Sequence, residues 1–285
     1  MLVTCTSKPE ISDQPTLHNP WKDQITVDGK IIIREYHRIP FIRNGEKIEL
    51  EGLLYKEDGL DSYRGVIMTH GRDGPKPSRY SNEIYGYKQF NQECALKGCA
   101  VLFLVRRGYG NSGGKDSEYL STAFKSGQAA AEDINAGIDY LLTLPKIKDH
   151  GIIIAGHSQG GWASLSASTI NRKEVLMTIN ISGGTNFIGI NSKPMDEIQQ
   201  EWIRGCGEIG KYSLKPSLWI YSENDRNHPK SYVERMFRNF ESKGGTGELF
   251  FLPPYKDNGH SIIKEPKLFI DEMFRYINEY ELRSP

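Results

Sequence analysis

Short apolar runs that alternate with helix-like stretches predict an α/β protein. Its sheet should be mostly parallel, with helices on both faces. Gly65–Thr69 and Ala100–Val105 are continuous apolar runs, typical of strands that are covered on both sides. Tyr119–Leu144 follows them with apolar and alanine residues at helical spacing and ends at Pro145. In such a sheet, functional groups collect where the strands end.

The alternation continues to the C-terminus, and an antiparallel hairpin precedes it. Ile31–Ile39 and Ile48–Tyr55 alternate apolar and polar residues around Asn44-Gly45, which is a hairpin signal. Further strands are predicted at Gly151–Ala155, Val175–Ile181, Ser217–Tyr221 and Glu248–Leu252. Further helices are predicted at Ile84–Leu96, Gly161–Ile170, Tyr232–Glu241 and Pro266–Tyr280.

The length of 285 residues suits one large domain better than two small ones. Residues 1–24 are predicted to be a flexible N-terminal lead, and residues 25–285 the α/β domain. About residues 185–215 interrupt the alternation, with a candidate helix at Met195–Ile203. We interpret this insertion as a small lid over the site, the alternative being an ordinary long crossover.

Composition excludes several classes of partner. The 36 basic residues balance the 36 acidic ones, so no overall field attracts nucleic acid. No apolar run approaches the length of a membrane span. The cysteines show no zinc-ligand spacing, so no metal is expected; Cys94 and Cys99 are either packed thiols or a disulfide.

The N-terminus leaves the compartment open. Leu2-Val3-Thr4-Cys5 resembles a bacterial lipobox, but the charged and apolar regions of a signal peptide do not precede it. The sequence as written predicts a cytoplasmic protein. The alternative is an envelope lipoprotein anchored at Cys5, from which an upstream segment has been removed.

The segment Gly156-His157-Ser158-Gln159-Gly160 is the most informative motif of the chain. It follows a predicted strand and leads into a predicted helix, which is the context that a G-x-S-x-G nucleophile turn requires. The flanking glycines would avoid clashes between strand and helix. Ser158 is therefore the candidate nucleophile, the alternative being a serine that only caps a helix.

A serine nucleophile needs a histidine base and an acid that orients it, here in the order serine, acid, histidine. Asp225 follows one predicted strand and His260 follows another, so both should lie near Ser158. Glu223 and Asp257 are weaker candidates for the acid. Two further histidines lie near these motifs: His157 is interpreted as packed beside the turn, and His228 as a solvent-facing or loop-packing residue.

The developing oxyanion needs two fixed donors. The backbone N–H of Gln159 should be one, because it begins the helix after Ser158. The N–H of Arg72 should be the other, with Gly71 as the alternative, since this loop follows a neighbouring strand. Four residues are further predicted as substrate contacts, with core packing as the alternative for the aromatic ones: Gly71, Tyr109, Trp162 and Trp202.

These blocks together resemble the α/β-hydrolase fold, and more narrowly the dienelactone-hydrolase-like and prolyl-oligopeptidase-related serine esterases. The resemblance runs from about Gly65 to Ile277 and includes His70-Gly71, Arg106 to Ser112, the Ser158 turn, Asp225 and Gly259-His260. Dienelactone hydrolases have a cysteine nucleophile, whereas this chain has Ser158. Many relatives carry an aspartate two residues before the arginine of the Arg-Gly-x-Gly block, where this chain has Val105.

The resemblance implies a carboxylic ester hydrolase with an acyl-enzyme intermediate. Its substrate would be a small-molecule ester, and it would need no metal or organic cofactor. Peptidases of the related group usually have an aromatic residue at the elbow and a propeller domain, whereas this sequence has His157 and no propeller pattern. A peptidase or amidase on the same triad, and a non-catalytic binding module with this fold, remain the alternatives. Substrate identity and oligomeric state stay open.

Overall fold

A computed structural model describes residues 22–72, 87–116, 120–185 and 192–283. Nine strands in these ranges form one sheet, in the order β1-β2-β3-β5-β4-β6-β7-β8-β9. The strands are β1 (Lys22–Val27), β2 (Lys30–Arg43), β3 (Glu46–Glu57), β4 (Arg64–Thr69), β5 (Cys99–Val105), β6 (Ile152–His157), β7 (Val175–Ile181), β8 (Ser217–Ser222) and β9 (Gly247–Leu252). The α-helices are α1 (Lys88–Leu96), α2 (Ala123–Leu141), α3 (Gln159–Ala167), α4 (Met195–Tyr212), α5 (Lys230–Ser242) and α6 (Ile270–Arg283).

The predicted hairpin is β2 and β3, joined at Asn44-Gly45, whose φ angles are 51° and 82°. Positive φ at both turn residues gives a two-residue hairpin turn that matches the strand twist. The same signal recurs at Asp28-Gly29, with φ of 47° and 78°, and adds β1 antiparallel to β2. The sequence analysis missed β1, which begins at Lys22, inside the predicted flexible lead.

Strands β4 to β9 are mutually parallel, and β5 also joins the hairpin through an antiparallel pairing with β3. The mostly parallel sheet is therefore confirmed. Alternate residues of a central strand face opposite sides: Phe103 packs in the cluster that contains α1 and α6, and Leu102 in the cluster that contains α2 and α3. Helices α4 and α5 pack with α3 around Trp162 and Trp219. Cover on both faces explains why these strands are apolar throughout.

The predicted lid region contains α4, which is twice as long as the helix predicted there. Trp202, Cys206 and Ile209 of α4 are buried against α5. In chain order, α4 connects β7 to β8. The lid role stays a prediction, and residues 186–191 lie outside the described ranges.

The described cysteines, Cys94, Cys99 and Cys206, are buried free thiols. Of the two alternatives for Cys94 and Cys99, the structure has packed thiols. Burial raises the pKa of the Cys99 thiol to about 12, which keeps it protonated and unreactive. Cys5 lies outside the described residues.

The loop after β5 is fixed by two buried arginines. Arg106 donates to Thr69 Oγ1 at 2.8 Å and to the backbone oxygen of His70. Arg107 donates from its backbone N–H and from Nε to the two oxygens of Asp133, at 2.9 and 2.6 Å. The Arg107–Asp133 pair has side-chain exposures of 2% and 0%, so its charges are removed from water.

The same loop is held from the hairpin side by Glu51, which is 1% exposed. Its carboxylate accepts hydrogen bonds from the Asn111 backbone N–H at 2.6 Å and from Tyr36 Oη at 2.9 Å. The Glu51 N–H in turn donates to Ser112 Oγ at 2.8 Å. The hairpin therefore anchors the loop that lies beside the end of β4.

Replacing Arg107 with methionine should destabilise the fold by about 3 to 5 kcal/mol, because it leaves the Asp133 carboxylate buried without its cation. Arg275→Met is the matched control, since the Arg275 side chain is 51% exposed and its ion pairs lie on the surface of α6. Urea unfolding measures both. Equal losses in the two variants would contradict a special role for the buried pair.

Candidate active site

Ser158 lies on a sharp turn between β6 and α3. Its φ of 54° and ψ of −121° are unusual for a residue with a side chain. Neighbouring backbone holds this conformation: the Ser158 N–H donates to Ile181 O at 2.9 Å, and the Gly184 N–H donates to Ser158 O at 3.1 Å. The turn is thus fixed by the last residue of β7 and by Gly184, which follows β7.

The two glycines of the motif permit this turn. A Cβ on Gly156 would lie 2.1 Å from the backbone oxygen of Gly160. A Cβ on Gly160 would lie 2.2 Å from the backbone oxygen of Thr69, at the end of β4. Helix α3 therefore begins in contact with two strand ends, which only glycine allows.

The structure brings Ser158, His260 and Asp225 together at one edge of the sheet. The distance from Ser158 Oγ to His260 Nε2 is 3.0 Å, and the distance from His260 Nδ1 to Asp225 Oδ2 is 3.1 Å. Asp225 lies three residues past β8, and His260 lies past β9 in a 3₁₀ turn. Glu223, the alternative acid, instead pairs with Lys230 at the surface.

Asp225 is buried and fully hydrogen-bonded. Its Oδ1 accepts from the backbone N–H groups of Asn227 and His228, at 2.9 and 3.0 Å. Burial alone would raise the pKa of Asp225, but the favourable interactions with the His228 and His260 side chains outweigh it and hold the pKa well below its usual range. The carboxylate is therefore charged and oriented toward His260.

Asn258 connects the two loops that carry the acid and the base. Its Oδ1 accepts from the Arg226 N–H and from the His260 N–H, both at 3.0 Å. The sequence analysis missed this residue. The sequence does carry a signal for it: an asparagine two positions before His260 is suited to cap a short helical turn.

The loop after β4 approaches Ser158 from the other side. A Cβ on Gly71 would lie 2.9 Å from Ser158 Cβ, so the Gly71 backbone is in contact with the serine. The Gly71 N–H donates to Tyr87 Oη at 2.9 Å and is thereby occupied. The Arg72 N–H stays the predicted second oxyanion donor. The Gln159 N–H opens α3 directly after Ser158.

His70 holds this loop in place. Its Nδ1 donates to Gly71 O at 2.7 Å, and its Nε2 accepts from the Arg106 N–H at 3.0 Å. These directions require a neutral imidazole. Burial, reinforced by the nearby Arg106 cation, holds the pKa of His70 well below its ordinary value, in agreement with that state.

Comparison with known proteins gives matches of structure only. No protein-family model and no curated protein matches the chain. A putative dienelactone hydrolase from Klebsiella pneumoniae subsp. pneumoniae MGH 78578 is 14% identical, with a TM-score of 0.61, over 88% of this chain and 98% of that one. The acetyl xylan esterase from Paenibacillus sp. R4 is 16% identical, with a TM-score of 0.56, over 94% and 90%.

The chain has the α/β-hydrolase fold. An acylaminoacyl peptidase from Pyrococcus horikoshii shares it at 16% identity and a TM-score of 0.59, covering 90% of this chain and 48% of that one. At these identities the likeness is one of fold, and the prediction of the fold is confirmed. None of the helices in the described ranges is long and apolar enough to cross a membrane.

The sequence left His228 as a solvent-facing or a loop-packing residue, and the structure excludes the first of these. Within this α/β-hydrolase fold it is 4% exposed, with its ring centroid 5.3 Å from that of His260. Its Nδ1 lies 3.8 Å from Asp225 Oδ2. The i, i+3 spacing after Asp225, on a turn that enters α5, carries it inward. Burial lowers the pKa of His228, although Asp225 opposes that effect.

Asp225, His228 and His260 also form a group with metal-ligand chemistry. Their candidate ligand atoms all lie within 4.8 Å of one another. Asp225 Oδ2 and His260 Nδ1 already bond to each other, however, so a metal ion there would replace the contact that orients the imidazole. The arrangement fits a hydrogen-bonded triad better.

Two of the predicted substrate contacts are core residues. Tyr109 and Trp162 are both 0% exposed. Tyr109 packs against His70, with ring centroids 4.8 Å apart, and Trp162 Nε1 donates to Ala123 O at 3.0 Å. We therefore do not propose them as substrate contacts. Trp202 is 8% exposed and donates to Thr185 O at 2.6 Å, which also makes it mainly a packing residue.

Acid should destabilise this α/β-hydrolase fold, because His70, His157 and His228 are buried and have lowered pKa values, about 3 for His157. The unfolded chain then binds more protons, so the stabilisation is complete above the unfolded pKa and is lost as the pH falls. From about pH 6.5 to about pH 5.5, the free energy of unfolding should drop by about 1 kcal/mol each for His70 and His157, whose pKa values are lowered most.

Urea unfolding at a series of pH values measures this slope. His157→Gln should reduce it, because the substitution removes one of the buried neutral imidazoles. A free energy of unfolding that stays constant over this interval would contradict the neutral state of the buried histidines.

Proposed function

We propose that the chain is a serine hydrolase that cleaves carboxylic esters through an acyl-enzyme. The observation that carries the proposal is the unbroken hydrogen-bonded series from Ser158 Oγ to His260 Nε2 and from His260 Nδ1 to Asp225 Oδ2, at 3.0 and 3.1 Å. A buried, ionised carboxylate holds the imidazole with its proton on Nδ1. Nε2 is then free to accept the proton of the serine.

In the first step, Ser158 Oγ attacks the ester carbonyl as its proton passes to His260 Nε2. The carbonyl oxygen gains a negative charge, for which the Gln159 and Arg72 N–H groups are the proposed donors. The C–O bond to the alcohol then breaks, and His260 gives its proton to the leaving oxygen. Water repeats the sequence on the acyl-enzyme, which releases the acid and restores Ser158.

Ester substrates are favoured over amides by the fold neighbours. Both acetyl xylan esterases, from Paenibacillus sp. R4 and from Thermoanaerobacterium sp. JW/SL YS485, match over nearly all of this chain and of their own. Another neighbour, Est1E from Butyrivibrio proteoclasticus, was solved with ferulic acid bound. A peptidase or amidase is the second candidate, which rests on the similarity to an acylaminoacyl peptidase.

A fluorophosphonate should label the protein stoichiometrically at Ser158, and Ser158→Ala should abolish the labelling. The variant should lose roughly 10⁶-fold in kcat toward a short-chain aryl ester, because the nucleophile is gone. Asp225→Asn should lose about 10⁴-fold while the fold persists. Ser168→Ala, at the far end of α3, is the control and should keep full activity.

Mass spectrometry of the labelled protein and steady-state kinetics report these outcomes. Labelling that persists in Ser158→Ala, or a folded wild-type protein that is inert to the reagent, would sink the assignment.

Matched aryl esters and aryl amides of one acyl group should separate the two candidate activities. We expect kcat/KM to favour the ester by more than the difference in intrinsic reactivity, which spontaneous hydrolysis of both compounds supplies. Relative turnover that favours the amide after this correction would replace esterase with peptidase or amidase.

A further inference from the structure

His157 makes hydrogen bonds from both ring nitrogens, although nothing in the proposed chemistry uses it. Its Nε2 lies 2.7 Å from the backbone oxygen of His260, and its Nδ1 lies 3.2 Å from Tyr87 Oη. Tyr87 Oη in turn lies 2.9 Å from the backbone N of Gly71. These contacts form a continuous series, here called the Tyr87–His157 bridge, from the Gly71 loop to the backbone of the proposed base.

The direction of every hydrogen bond in this bridge is fixed by its two ends. The Gly71 N–H can only donate, so Tyr87 Oη accepts from it. The His260 carbonyl can only accept, so His157 Nε2 carries a proton. If His157 is neutral, its Nδ1 then accepts from the Tyr87 hydroxyl. Each hydrogen bond in the bridge therefore has a fixed donor and a fixed acceptor, and reversing one of them would break another.

The surroundings of His157 favour the neutral ring that this scheme requires. The residue is 7% exposed, and its ring centroid lies 5.4 Å from that of Tyr87 and 5.0 Å from that of His260. Burial is the main cause that lowers the pKa of His157 to about 3. The other charged groups that act on it are His260, Asp225 and His228, and their effects are mixed in sign.

Both ends of the bridge are attached to groups that must stay in place during the reaction. The Gly71 backbone contacts Ser158, and the next residue supplies the proposed Arg72 donor. The His260 backbone is held at its N–H by Asn258 and at its carbonyl by His157. Without the His157 contact, the His260 backbone could rotate about the Asn258 contact, which would shift the imidazole of His260 relative to Ser158.

We propose that Tyr87 and His157 are positioning residues, and that their bridge fixes the separation between the oxyanion-side loop and the imidazole of His260. This role rests on the proposed serine hydrolase mechanism. The proposal gives His157, the residue before the candidate nucleophile, a positioning role, whereas the sequence alone favoured a packing role. It also makes Tyr87 a link between the two sides of the site.

The first test is Tyr87→Phe, which keeps the ring and removes the hydroxyl. We expect kcat and the rate of fluorophosphonate labelling to fall roughly 10- to 100-fold, with KM changed by less than about 3-fold, because misplacement of reacting groups affects the chemical step. Tyr63→Phe is the matched control. Tyr63 is also buried and donates its hydroxyl to Glu57 O at 2.7 Å, but it lies at the start of β4, at the opposite edge of the sheet.

His157 variants test the same bridge from its other member. His157→Phe should match Tyr87→Phe in its loss of kcat, and the double variant should be no slower than the slower single one, because both remove the same interaction. His157→Gln retains an amide N–H that can donate to the His260 carbonyl and an amide oxygen that can accept from the Tyr87 hydroxyl. It should therefore recover most of the activity.

A readout independent of turnover separates this proposal from the proposed function. In ¹⁵N-histidine-labelled protein, His157 should show a protonated Nε2 and a hydrogen-bonded, unprotonated Nδ1. This signature should persist in Ser158→Ala, and the Nδ1 resonance should shift in Tyr87→Phe. If Ser158→Ala stays active, the serine mechanism fails while the bridge can still be read by NMR.

Two results would overturn the positioning role. One is a Tyr87→Phe variant that loses stability as Tyr63→Phe does but keeps wild-type kcat and labelling rate. The other is a His157 resonance with a protonated Nδ1, since that tautomer cannot accept from the Tyr87 hydroxyl.

Discussion

The backbone of Ser158 occupies a conformation that residues with side chains rarely adopt, and the candidate site is built around the contacts that maintain it. Two backbone hydrogen bonds, from Ser158 to β7 and from Gly184 to Ser158, hold the turn in that state. The glycines on either side let α3 start against the ends of β4 and β6. The parallel sheet can maintain such a strained turn, because its strand ends are fixed by hydrogen bonds on both sides.

Local signals were sufficient for most of the fold and for the proximity of Ser158, Asp225 and His260. Continuous apolar runs identify strands that are covered on both faces, and chain order places Asp225 and His260 at the same edge as Ser158. Strand β1 was missed because its six residues alternate between exposed and only partly buried positions and give little hydrophobic pattern, even though Asp28-Gly29 carried the turn signal.

Properties that depend on long-range packing could not be predicted in this way. An aromatic side chain near a motif can face a pocket or the core, and only the tertiary structure decides; Tyr109 and Trp162 face the core. His228 and His157 are ordinary histidines in the sequence, and their contacts with the triad arise between residues up to about a hundred positions apart. Hydrogen-bonded partners at such separations leave no periodic trace in a single sequence.

Asn258 gives the acid loop and the base loop one shared acceptor, since the N–H groups of Arg226 and His260 both bind its side-chain oxygen. Two loops tied at a common atom are expected to fluctuate in phase, so that thermal motion carries carboxylate and imidazole along together. The separation between them would then vary less than the position of either loop against the sheet. A short amide side chain can thus act as a mechanical coupling, which preserves the geometry between the acid and the base.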